Sequence, residues 1–190
     1  MILKKQRAAR LCLVAIVAAL LVSLFAPAAS VSAATIVSPD GWGWQNPLPQ
    51  GNVLRSVWGS STTDVFAVGH DGTILHYDGT VWNTMGSVTT HVLFSVWGTS
   101  SSDVFAVGNT GTILHYDGTA WKSMTSNSTN DLYGIWGTST FDIFAVGING
   151  TILHYDGSEW STMTSNSTSY LYGVWGSSTT DVFAVGGSGT

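Results

Sequence analysis

Four tryptophans, Trp58, Trp97, Trp136 and Trp175, each stand 39 residues from the next, and the chain between them repeats almost unchanged. Asp64, Asp103, Asp142 and Asp181 keep that spacing, as do Phe66, Phe105, Phe144 and Phe183. His76, His115 and His154 follow, then Asp78-Gly79, Asp117-Gly118 and Asp156-Gly157, then Trp82, Trp121 and Trp160. No insertion or deletion breaks three full periods. Such regularity demands one supersecondary unit used repeatedly, with neighbours covering the apolar surface that a single unit leaves wet.

Each period holds four strand-like runs; in the first they are 54–59, 64–69, 73–78 and 81–85. The Asp-Gly pair at 78–79 is a hairpin signal, because both residues tolerate the positive φ of tight turns, so consecutive strands run antiparallel. DVFAVG and TILHY are apolar at nearly every position, which requires cover on both faces of the sheet. Four-stranded sheets set radially around an axis, a β-propeller, meet that need and leave only short edges. The rival is a β-solenoid, whose coils stack parallel strands and have no use for three hairpin turns per period. The expected fold is all-β, a propeller of four-stranded antiparallel blades at 53–91, 92–130 and 131–169. A partial blade at 170–190 and a lone outer strand near Trp44, within 35–52, complete the division. About three and a half blades is below the four to eight of closed propellers. A piece of a longer chain is therefore expected, with assembly of several copies into one ring as the alternative.

The repeat V-W-G-S-S-x-x-D-V-F-A-V-G-x-x-G-T-I-L-H-Y-D-G-x-x-W resembles the secreted bacterial propeller repeats grouped with the WD40-, YVTN- and BNR-like superfamily, over residues 44–190. The resemblance implies the propeller fold and no particular activity. The sialidase-type Asp box separates its Asp and Gly by one residue; here Asp78 and Gly79 are adjacent, so that motif is approximated and not met. Photosystem II assembly-factor-like propellers share the general look, but nothing in the sequence argues for a photosynthetic role.

Residues 1–34 place Lys4, Lys5, Arg7 and Arg10 ahead of an apolar run at 11–25 and a small-residue tail. That is the layout of a secretory signal peptide, with cleavage expected after Ala33 or Ala34. The apolar run falls short of the ~20 residues that span a hydrocarbon core, so an uncleaved anchor is the alternative and no stable membrane insertion is expected after cleavage. Either way the repeats are expected outside the cytoplasm, secreted or in a bacterial cell envelope. Cys12, the single cysteine, lies in this leader, so the repeats have neither a disulfide nor a thiolate metal site. Beyond residue 34 only Arg55 and Lys122 face all eleven acids, a net charge of −9. Such a surface repels phosphate backbones, which excludes nucleic acid as a partner.

Catalytic chemistry meets specific shortages. A sialidase-like carboxylate clamp needs several arginines, and the repeats offer Arg55 alone. A glycosidase needs two carboxylates in distinct environments; Glu159 is the only Glu and the aspartates mostly recur with the period. Histidines in separate blades do not converge on a metal. The expectation is no catalytic residue, no metal and no cofactor. His76 and its copies are read as held by a neighbouring backbone or turn group. Asp64 and its copies are read as turn carboxylates accepting backbone N–H groups, and the Trp58 series as packing between blades.

What varies between copies is more informative. The loop after the second strand reads His70-Asp71, Asn109-Thr110, Ile148-Asn149 and Gly187-Ser188, whereas the opposite turns hardly change. The inter-blade linkers 86–92, 125–131 and 164–170 also vary, and just after them Arg55, Phe94, Tyr133 and Tyr172 occupy equivalent positions. Both loop types are expected on one rim around the central channel, with His70, Asp71, Asn109 and Asn149 joining those four as candidate ligand-binding residues. Aromatic rings beside Asn, Asp and His suit a glycan or a peptide, so a scaffold binding an extracellular protein or glycan is the leading reading. Unconstrained drift in surface loops is the alternative at this rim. An accessory domain of an extracellular hydrolase, or a purely structural envelope protein, is the alternative for the chain. Asn127-Ser128-Thr129 and Asn166-Ser167-Thr168 match the glycosylation sequon, which carries little meaning in a bacterial product.

Overall fold

A computed structural model of the chain describes residues 3–5, 40–44 and 51–190. They belong to two units, Met1–Leu48 and Pro49–Thr190. In the first, β1 (Leu3–Lys5) runs antiparallel to β2 (Trp42–Trp44), with Leu3 opposite Trp44. The strand expected near Trp44 therefore has a partner. The apolar run of the leader and its cleavage site lie outside the described residues. No helix among the described residues is long and apolar enough to cross a membrane.

The second unit is all strand and turn. β3 (Leu54–Ser61), β4 (Asp64–Gly69), β5 (Ile74–Tyr77) and β6 (Trp82–Thr84) form the first four-stranded sheet, in that order. The second holds β7 (Leu93–Ser100), β8 (Asp103–Gly108), β9 (Ile113–Tyr116) and β10 (Trp121–Met124). The third holds β11 (Leu132–Ser139), β12 (Asp142–Gly147), β13 (Ile152–Tyr155) and β14 (Trp160–Met163). A pair, β15 (Leu171–Ser178) and β16 (Asp181–Gly186), supplies the first two strands of another blade. All pairings are antiparallel. Between blades, β3 meets β7, β7 meets β11 and β11 meets β15. The first strand of each blade is thus the innermost, and sheets meet face to face around a hub. This is a propeller segment and not a solenoid, whose strands would pair from one repeat to the next.

The core follows from strand alternation. Successive side chains point to opposite faces, so in β8 Val104 and Ala106 pack with Phe66, Val68 and Ile74 of the first blade. Phe105 and Val107 pack instead with Leu132, Ile135 and Ile143 of the third. Every one of these residues is buried. That explains why DVFAVG is apolar on consecutive positions: one strand serves two cores. The equivalents in β16 that face away from the third blade, Phe183 and Val185, are 57% and 59% exposed, and Trp175 is 59% exposed.

The Trp-Gly dipeptide sets the blade-to-blade spacing. A Cβ added to Gly98 would lie 2.9 Å from the Trp58 indole, one on Gly137 2.8 Å from Trp97, and one on Gly176 2.6 Å from Trp136. The indole of each blade therefore rests on the bare backbone of the next, and nothing larger than glycine fits beneath it. Ser56 Oγ adds a hydrogen bond across the same junction, accepting from the Val96 N–H at 3.3 Å. Gly137→Ala is expected to cost about 1–3 kcal/mol by overpacking, measured by urea unfolding. Gly59→Ala, where no indole lies above the glycine, should cost less, and Trp97→Ala in the same chain should relieve part of the Gly137→Ala penalty.

Candidate functional site

The innermost strand of each blade carries two extra residues, one toward each end; in the first blade Ser60 is the one beside the turn into β4. Leu54 pairs with Gly69 and Ser56 with Val68, which leaves Arg55 without an opposite number. The same shift isolates Phe94 in β7, Tyr133 in β11 and Tyr172 in β15. A bulge of this kind bends the strand and re-aims one side chain. The four equivalent candidates from the sequence are therefore the bulge residues at this one end of the innermost strands, one per blade.

The bulge brings the aromatic members together. Phe94 and Tyr133 meet edge to face at 5.0 Å between ring centroids, and Tyr133 lies 5.6 Å from Tyr172. Tyr170 joins them, 6.4 Å from Tyr133 and 6.3 Å from Tyr172. Burial, the negative charge of Asp131 and the neighbouring Tyr170 and Tyr172 raise the Tyr133 phenol above its ordinary pKa. Tyr170 was not among the candidates, although a signal existed: its position reads Val53, Val92, Asp131 and Tyr170 in successive copies, as irregular as the bulge position beside it. In the first blade the Arg55 Nε donates to His70 Nε2 at 3.0 Å.

The other candidates sit in the adjoining loops, which are tight turns. His70–Gly72, Asn109–Gly111 and Ile148–Gly150 each form one short 3₁₀ turn with a left-handed residue at its centre: Asp71 at φ 54°, Thr110 at 52° and Asn149 at 55°. Asp and Asn enter this region readily, whereas a β-branched residue is strained there. Thr110 is held by a bond from its N–H to Asp131 Oδ1 at 2.8 Å, while its hydroxyl lies 2.9 Å from His91 Nδ1. The turns are tied to the next linker, as where the Gly72 N–H donates to the His91 carbonyl at 2.9 Å. A Cβ on Gly72 would lie 1.9 Å from the Thr89 carbonyl oxygen, so this contact needs glycine as much as its φ of 65° does. Both variable segments do share one rim. Much of the choice at Asp71 and Asn149 is explained by the turn itself. Asn109 keeps a buried side-chain oxygen with no hydrogen-bond partner.

The invariant residues gather elsewhere in each blade, around the turn between its first two strands. His76 Nε2 meets Asp64 Oδ1 at 2.6 Å, His115 meets Asp103 at 2.7 Å and His154 meets Asp142 at 2.8 Å. Each imidazole stacks on a phenylalanine ring, at 4.4, 4.2 and 4.5 Å. The second carboxylate oxygen accepts a hydroxyl: Ser60 for Asp64, Thr99 for Asp103, and Thr138 for Asp142 at 2.6 Å. The expected backbone donors to these aspartates are thus replaced by side-chain donors, because the bulged hydroxyl and the histidine reach the carboxylate from both sides. Hydroxyl and imidazole converge on the acid, and the hydroxyl does not face a histidine base as a nucleophilic triad requires. In Asp103, burial works against ionisation, but bonds from Thr99, Thr140 and His115 outweigh it and hold the carboxyl below its ordinary pKa. The Asp-Gly hairpins form, but only the glycine takes the positive φ, 96° at Gly79; Asp78 instead serves the turn through its side chain, Oδ1 accepting the Thr80 and Val81 N–H groups, both at 2.9 Å. Asp117 and Asp156 do the same in their blades. No group of three or more potential metal ligands occurs among the described residues.

Radial antiparallel blades with a hydrogen-bonded constant end and a bulged variable rim define a β-propeller repeat segment. Among solved structures the fold is similar to YCF48 from Cyanidioschyzon merolae, with 15% identity and a TM-score of 0.59 over 74% of this chain and 52% of that one. It is similar also to YCF48 bound to D1 peptide, with 17% identity and a TM-score of 0.59 over 74% of this chain and 50% of that one. The chain spans about half the length of these structures. No family model matches the sequence, and no curated protein does.

The turn carboxylates give stability a pH dependence. Hydrogen bonds from the Ser158 hydroxyl and the Glu159 and Ser158 amides lower Asp156 to about 2, and Asp78, Asp103 and Asp117 are lowered as well. A depressed carboxylate stabilises the fold above its unfolded pKa of about 4 and loses that contribution as pH falls through the folded value. Urea midpoints are therefore expected to stay level from pH 7 to 5 and to fall between about pH 4 and pH 2. Asp103→Asn should lower the midpoint at pH 7 and flatten part of that fall.

Proposed function

We propose that this chain is an exported, non-catalytic propeller scaffold that binds a protein or peptide on the rim carrying Phe94, Tyr133, Tyr170 and Tyr172. The observation that carries the reading is the bulge. An otherwise repeated strand aims one non-repeating side chain per blade at one rim, and the aromatic ones meet there partly exposed, with Tyr172 56% open. Large amphipathic rings held by rigid backbone supply contact area at small entropic cost, which is what recognition surfaces use. A structure of similar fold carries a peptide, which supports a peptide over a glycan as the ligand class. The leader composition supports export.

Peptide-array screening of the full-length protein tests this reading. For peptides the protein selects, changing Phe94, Tyr133 and Tyr172 together to Ala should weaken binding by about 30-fold or more, the loss typical of anchor residues. His76→Ala, at the constant end, should leave binding unchanged in protein that remains folded. Unaltered binding by the triple variant would contradict the assignment.

A further inference from the structure

The chemistry of the aromatic rim narrows the partner, given that the rim is the binding surface. Four rings, Phe94, Tyr133, Tyr170 and Tyr172, form one connected group with centroid separations of 5.0 to 6.4 Å. Tyr170 and Tyr172 are 47% and 56% exposed, so part of their surface is open to a ligand. Ring faces are the negative pole of the aromatic quadrupole and attract cations.

Charge around the group points the same way. Asp131 precedes β11 by one residue, and its position is fixed by the bond from the Thr110 N–H to its Oδ1 at 2.8 Å. Burial chiefly, and then the negative charge of Asp131, disfavours the Tyr133 phenolate. Of these influences only the ionised Asp131 carboxylate carries charge at neutral pH, and it is this charge, beside the exposed rings, that would attract a cation. Neither basic side chain of the repeats is bonded to Asp131, although Arg55 shares the rim in the first blade. Beyond the leader the basic side chains are Arg55 and Lys122; Arg55 is bonded to His70, and Lys122 pairs with Asp117 at 2.5 Å on an outer turn.

We propose that the partner of this rim is a basic peptide segment that lays an arginine or lysine side chain on the rings of Tyr133, Tyr170 and Tyr172, with Asp131 as the counter-charge. Arginine fits best, because its planar guanidinium stacks on a ring while its edge donates to a carboxylate.

Two synthetic probes test this with the full chain: acetyl-Gly-Arg-Gly-Arg-Gly-amide, and the same peptide with citrulline for arginine, which keeps the shape and removes the charge. In a ¹H–¹⁵N titration the arginine probe should shift the amides of Asp131, Tyr133, Tyr170 and Tyr172 and bind about tenfold more tightly than the citrulline probe. Raising the salt should narrow the difference. Asp131→Asn, which keeps an acceptor for the Thr110 N–H, should cut the arginine preference severalfold while leaving the rest of the spectrum in place. Equal binding of both probes, an unaffected preference in Asp131→Asn, or no shift at these amides would overturn the inference. If neutral array peptides nonetheless depend on Phe94, Tyr133 and Tyr172, the rim stands as a binding surface and only its cation preference falls.

Discussion

An indole resting on the glycine of the next blade is the contact on which the second unit depends. Trp58 over Gly98, Trp97 over Gly137 and Trp136 over Gly176 fix how closely consecutive sheets approach, and they do so at the innermost strands, where the blades converge. With that spacing set, Phe66 and Phe105 reach forward into the following blade while Val104, Ala106 and Ile143 reach back. Close packing on both faces then stabilises strands of only three to eight residues, none of which could persist alone. Little else is available. The repeats contain no cysteine and few charges, so stability rests on buried apolar area and on satisfied turns.

Each blade divides its labour between its two kinds of ends. Around the first turn, the Ser/Thr–Asp–His bridge ties three segments together in each of the three complete blades. Thr140 extends this bridge from the third blade to Asp103 of the second at 2.8 Å, locking the turns of neighbouring blades together. The bulged rim has recurring bonds of its own, between Asn52, His91 and Asn130 and the hydroxyls of Thr73, Thr112 and Thr151, but the bulge side chains take no part in them. The bulge keeps its backbone shape whichever side chain it holds, so Arg55, Phe94, Tyr133 and Tyr172 can differ without disturbing the sheet. A binding surface on a repeat scaffold needs this separation of rigid frame from replaceable side chain.

The strand count, the antiparallel order and the double-sided core were legible from three marks: period 39 between units, the unbroken apolar run of DVFAVG, and Asp-Gly at the hairpins. The Trp-Gly contact was half legible. The tryptophans read as packing between blades, while the reason for the adjoining glycine emerged only when Gly137 was seen beneath Trp97. The bulge was invisible as backbone, since an extra residue in a strand leaves no local mark, yet its side chains stood out because Arg55, Phe94 and Tyr133 differ in a strand that otherwise nearly repeats. Tyr170 and Asp131 carried the same signal in the linker, where variation is ordinary and easily passed over. The partners of Asp64 could not be read at all: Ser60 and His76 lie on different strands, and only the register of β3, β4 and β5 brings both to one carboxylate.

The junction between blades is open to direct measurement by nuclear Overhauser contacts in a sample labelled at tryptophan and glycine. Radial packing of one sheet on the next predicts strong cross-peaks from the indole of Trp97 to the α-protons of Gly137, and likewise from Trp58 to Gly98 and from Trp136 to Gly176. Indoles that contact only residues of their own 39-residue repeat would contradict the account.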